Sequence, residues 1–174
     1  MREDNLPKNK ANGVQAKEGY KKTESNKLEW CCNKKNGITL IEPNDNLSDE
    51  YMKESDKTLD SLDLINDKWG LIMGYYACYN ALYSLMMKMG IKSEIHDCSI
   101  ELMKMIPQFS DDDINFIKNL KKDRIDAQYY LKDKVLDDKG KVKEFVLKCK
   151  QIKGELDTPS IREKLRRIIK GDKN

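Results

Sequence analysis

Arg124 is the residue of this chain whose position conflicts most with its chemistry. Turned at about 100° per residue, the segment 110–132 brings Phe116, Ala127, Leu120, Leu131, Ile117 and Ile114 onto one broad arc. Arg124 falls inside that arc, between Leu120 and Ile117 in projection, while Asp126 points away. A guanidinium on the packing face of a helix is costly unless a carboxylate, a row of carbonyls or an aromatic ring receives it. Two duties fit. One is a structural or dimer-interface ion pair, for instance a bridge to an acid-rich first helix. The other is a grip on a phosphate-bearing ligand, since local conflicts of this kind mark functional sites. Tyr129 and Tyr130 follow at i+5 and i+6 and can bring a phenol to the same rim, or simply sit at an amphipathic boundary.

His96 is the single histidine. It stands just before Asp97-Cys98-Ser99, at the expected start of a helix, where the dipole favours its neutral form. Capping, core packing and a catalytic role beside Arg124 are its three possible duties. A zinc set of Cys31, Cys32, Cys98 and His96 has a spacing that fits no usual pattern, so no metal and no cofactor are expected. Five cysteines, with an adjacent pair and no secretory signal, point to reduced thiols in a cytoplasm.

The element that must position these groups is the stretch WGLIMGYYACYNALYSLMMKMG, Trp69 to Gly90. Its side chains are almost all apolar or aromatic, and the polar Asn80, Ser84 and Lys88 form one narrow row at i, i+4, i+8. Such a helix is either the centre of a bundle or a membrane span. Tyrosines through its middle and Asn80 near mid-span argue for the bundle.

The 174 residues fit one domain with a real core, and 36% charged residues imply heavily charged outer faces. Residues 1–35 hold nine Lys/Arg against five acids, and 158–174 hold six against two. Those basic ends could touch nucleic acid or merely solubilise the chain. Residues 1–26 are polar without an apolar period, as in a disordered tail, and 27–171 form the domain. Asn36-Gly37 marks a turn before an extended Ile38–Ile41.

Helices are expected at about 49–66 (capped by Ser48), 69–90, 98–106, 110–132, 141–155 and 160–170. The last has Thr158 as cap, Pro159 at the first position and Gly171 beyond the end. Tyr51, Met52, Leu59, Leu62 and Ile65 supply the apolar face of the first. Strand signals are nearly absent. The fold class is all-α, an antiparallel bundle of about five to six helices.

Three segments together carry a resemblance. They are Tyr75-Tyr76-Ala77-Cys78-Tyr79-Asn80-Ala81-Leu82, then Gly90-Ile91-Lys92-Ser93 followed by His96, then Arg124-Ile125-Asp126-Ala127-Gln128-Tyr129-Tyr130. In content, order and spacing the chain from about Leu28 to Lys170 resembles the HEPN domain family. The resemblance implies a helical bundle that dimerises. In many members arginine and histidine of an R-x(4–6)-H motif, from two subunits, line an RNase cleft. Others accompany a minimal nucleotidyltransferase in a toxin–antitoxin pair.

Only the arginine carries over, as Arg124; Tyr129, Tyr130 and Leu131 stand where the histidine would be. Metal-independent RNA cleavage needs a proton acceptor and a proton donor. Arginine cannot shuttle a proton, and tyrosine, with a pKa of about 10, is a poor base. The resulting expectation is a non-catalytic or degenerate homodimeric module that binds nucleotide, RNA or a nucleotidyltransferase-type partner. Arg124, Tyr76 and Tyr129 or Tyr130 would line its cleft, with Asn80 and Ser84 on the facing helix. The alternative is a metal-independent RNase using Arg124 with Tyr129, Tyr130 or His96.

Overall fold

A 22-residue helix, Lys68–Met89, is the axis around which the other elements are arranged in the computed structural model, which describes residues 25–171. In chain order the elements are α1 (Ser25–Asn33), β1 (Thr39–Leu40), α2 (Asp45–Leu62), α3 (Lys68–Met89), β2 (Ile91–Lys92) and α4 (His96–Leu102). A 3-10 turn (Met103–Met105), α5 (Asp111–Tyr129), α6 (Lys139–Glu155) and α7 (Thr158–Lys170) complete the described chain. The fold is a helical bundle, with seven α-helices among the described residues rather than five or six. The extra one is α1, whose Leu28 and Cys31 pack inward one turn apart. Of the tail expected over 1–26, residues 1–24 lie outside the described residues.

Sixteen of the 22 residues of α3 are buried, because α2, α5, α6 and α7 all pack on it. No face is left for charge, which is why the sequence is apolar all round. The Asp67 carboxylate accepts from Trp69 N at 2.8 Å to start the helix. Gly90, in the left-handed region at φ 64°, stops it by donating to the carbonyls of Met86 and Met87. Among the described residues no helix is long and apolar enough to cross a membrane.

The polar row on α3 serves the seam with α2. Ser84 donates to the Ser48 carbonyl at 2.7 Å, and their hydroxyls lie 3.2 Å apart. Lys88 reaches Asp45 at 3.3 Å, and Ser55 of α2 answers by donating to the Ala77 carbonyl at 2.8 Å. Two expected boundaries are corrected by these contacts. The helix begins at Asp45 under an Asn44 cap, whose side chain accepts from Leu47 N, because Ser48 is spent inside the interface. It also ends at Leu62, which leaves Ile65 in the turn before α3 rather than on the helix.

Other signals hold. Ser110 and Asp113 form a reciprocal capping box at the start of α5. Asn36 turns with φ 63°, and a Cβ at Gly37 would collide with the Cys31 carbonyl. β1 and β2 pair antiparallel over two residues each, Thr39 with Lys92 and Leu40 with Ile91. α7 has Pro159 in its first turn and Gly171 after its last, but its cap is Asp157, which accepts from Ser160 N, rather than Thr158.

The cysteines depart from the expectation of reduced thiols. Cys31 of α1 and Cys98 of α4 form a disulfide, while Cys32, Cys78 and Cys149 are free. Of the adjacent pair, Cys31 is fully buried and meets Cys98, whereas Cys32 is half-buried against the core and stays free. The zinc set falls with the same observation: Cys31 and Cys98 are joined to each other, and no group of metal-binding side chains occurs among the described residues.

Candidate functional site

Tyr75, Tyr79 and Tyr83, spaced at i, i+4 and i+8, form a ladder along α3, with successive ring centroids 5.9 and 5.7 Å apart. Each phenol finds a partner in the segment 93–99. Tyr83 donates to the Ser93 carbonyl at 3.3 Å, the Tyr79 hydroxyl lies 3.1 Å from Ser99 Oγ, and Tyr75 Oη lies 2.5 Å from His96 Nδ1. The His96 ring lies flat on Tyr79, centroids 4.0 Å apart and 5° from parallel. Burial holds the Tyr75 phenol far above its ordinary range and pushes that of Tyr79 up to about 12, so both keep their protons.

That fixes the tautomer of His96. Tyr75 is fully buried, and a buried hydroxyl proton without an acceptor is costly. Tyr75 therefore donates to Nδ1, and Nε2 carries the ring hydrogen. His96 is half-buried, is the first residue of α4, and does not cap it; Ile95 holds that position. Its pKa is lowered by desolvation first, then by the charges of Arg124 and Lys121, with Asp97 opposing. The imidazole is neutral near pH 7, and its Nε2 can donate but not accept.

Arg124 arrives from α5 on the other side of Tyr75. Its Nη2 donates to the Tyr76 hydroxyl at 2.6 Å. Its guanidinium carbon lies 5.3, 5.1 and 5.5 Å from the ring centroids of Tyr75, Tyr76 and Tyr129. The residue is only 7% exposed, and its Nε has no partner. One turn later the buried Gln128 Oε1 is also unpaired. Among the described residues no carboxylate lies within ion-pair distance of Arg124, so the expected bridge to the acid-rich α2 does not form. Cation–π contacts return about 0.5–2 kcal/mol each at best. A buried charge without a counter-ion costs several. The three rings and the Tyr76 hydroxyl are thus the partners that receive the charge, with Nε left unpaired.

The structure thus brings Arg124, Tyr76, Tyr129 and His96 together around Tyr75. Tyr130 caps α5 at its C-terminus, 69% exposed, with Lys132 over its ring rather than Arg124. Asn80 is half-buried, one turn past Tyr76, and takes no part in the cluster. Ser84 is fully buried against α2 and belongs to that seam. Tyr75 and Tyr79 were missed as site residues, although the four-residue spacing of three tyrosines opposite Ser93, His96 and Ser99 was their signal. Lys121 ties α5 to α4 through Asp97 at 2.7 Å and so fixes the distance between arginine and histidine.

A separate groove of about 730 Å³ lies between α5 and α6, floored by Leu71, Phe116 and Phe145. Six carboxylates line it against two lysines, Lys141 and Lys148, so its field disfavours anions.

Compared with models of known protein families, with curated proteins and with solved structures, the chain finds no match.

Proposed function

We propose that this chain is a HEPN-type helical module that binds the phosphate of a nucleotide or RNA at the Arg124 cluster without cleaving it. The observation that carries this is a guanidinium more than nine-tenths buried, with its Nε unpaired and no carboxylate to neutralise it. A neutral His96 with hydrogen on Nε2 adds a second donor nearby and takes away the base that hydrolysis would need. The order of the YYAxYxA helix, the glycine–histidine loop and the arginine helix supports the HEPN reading. On that reading the protein works as a cytoplasmic homodimer beside a minimal nucleotidyltransferase, in a toxin–antitoxin-type pair. The Cys31–Cys98 bond, buried at both ends, departs from the reduced thiols on which the cytoplasmic expectation rested.

The test is Arg124→Lys, measured for binding of a labelled RNA and a nucleoside monophosphate and for melting temperature. Loss of the planar fork should weaken binding by about tenfold while the melting temperature holds. Unchanged affinity with lowered stability or dimerisation would make Arg124 structural.

The RNase reading keeps one observation in its favour, that His96 and Arg124 flank the same tyrosine. A metal-free assay on mixed RNA, with Arg124→Ala at matched circular dichroism, decides it. Cleavage by the parent alone would replace the binding reading with a nuclease that moves its protons through a rearranged His96.

A further inference from the structure

Basic residues near both ends of the described chain lie on two helices that pack together, α1 and α7. α1 packs against both α7 and α4, and so lies between the C-terminal helix and the helix that begins with His96. Over Thr158–Lys170 there are five basic residues against one acid, and over 25–35 three against one. Lys34, Lys35, Lys164, Arg166, Arg167 and Lys170 are all exposed. Trp30 of α1 is 48% exposed, with the Lys34 ammonium 5.6 Å from its ring centroid. Glu163 pairs with Arg166 and Arg167 at 3.5 and 3.4 Å, but these exposed contacts are worth little and yield readily to phosphate.

We propose that this α1–α7 surface is the track of a single-stranded RNA backbone that leads to the Arg124 cluster. The inference rests on the phosphate-binding reading above and deepens it, choosing a polynucleotide over a mononucleotide. A row of cations beside an exposed aromatic ring is the arrangement that holds single strands, by charge along the backbone and by base stacking. α1 joins the two regions covalently, because Cys31 is bonded to Cys98, two residues after His96. A membrane surface fits less well: α7 turns Ile161 and Leu165 into the bundle, which leaves Ile169 as its one exposed large apolar side chain, too little to insert. The α5–α6 groove, with six carboxylates against two lysines, is no competing site for a polyanion.

The experiment compares a labelled 12-nucleotide oligouridylate with uridine monophosphate on the full chain, across a salt series. The triple variant Arg166→Gln, Arg167→Gln, Lys170→Gln should weaken oligomer binding about tenfold. It should also reduce the salt slope by about 2, since each single-strand contact contributes about 0.7. Monophosphate affinity should stay within about twofold of the parent. Trp30→Ala should cost the oligomer about tenfold as well. Oligomer affinity and salt slope unchanged in the triple variant would overturn the track, as would tighter binding to phosphatidylserine vesicles than to the oligomer.

Failure of the site reading looks different: Arg124→Ala would then leave monophosphate affinity untouched, whatever the track variants do. A parent that binds neither ligand refutes both.

Discussion

Tyr75 Oη lies 2.5 Å from His96 Nδ1, and because Tyr75 is fully buried that contact decides which nitrogen of the imidazole carries hydrogen. Tyr75→Phe would remove the donor and leave Nδ1 unsatisfied in a half-buried ring. The expected cost is about 1–3 kcal/mol of stability. Nitrogen-15 correlation spectra of His96 should show the Nε2–H form in the parent and its loss in the variant. An Nδ1–H form in the parent would reverse the donor assignment and restore His96 as a candidate base.

The lowered His96 pKa makes stability depend on pH in a stated direction. The folded value lies below the ordinary 6.5, so protonation favours the unfolded chain. This contribution is fully present above about pH 6.5 and is lost as pH falls through the folded pKa. His96→Gln should flatten that part of a denaturation profile. A matched decline in parent and variant would place the acid sensitivity in other groups.

Arg124→Met should make the free protein more stable and abolish phosphate binding. The substitution exchanges a buried charge without a counter-ion for an apolar side chain among three tyrosine rings. The expected gain is about 2 kcal/mol, read as a rise of about 4–8 °C in melting temperature. A lower melting temperature would mean that the rings already neutralise the cost and that no anion is needed.

Ser84→Ala should do the opposite. It removes the bond to the Ser48 carbonyl from a buried seam, at a cost of about 1 kcal/mol, and leaves RNA and nucleotide affinity unchanged. A change in affinity without a change in stability would return Ser84 to the site.

The bundle was legible because its signals are local. Apolar period, the Asn36-Gly37 turn and the Pro159 and Gly171 signals of α7 each act within a few residues. The errors arose where two elements compete for one side chain. Ser48 looks like a cap until Ser84 is brought beside it, and Cys31 looks like a free thiol until Cys98 is. Arg124 was legible as a conflict, since helical projection alone puts it inside. Its association with His96 was not, because 28 positions and a packed ladder of tyrosines separate them, and only the fold supplies the ladder.

Arg162 has a consequence for how the molecule opens. Its Nη1 lies 2.8 Å from each of the carbonyls of Ile41, Met89 and Gly90, and a side chain at Gly90 would collide with it. Helix α7 is thus fastened to the end of the central helix and to the ribbon, and cannot fray alone. Its interior amides should exchange with solvent only when the α3 terminus and the β1–β2 pair come apart with it, as one opening unit. Because Ile38 N donates to the Cys31 carbonyl, α1 is drawn into the same unit. The two ends of the described chain would then be released in a single step, so that losing the last helix means losing the first.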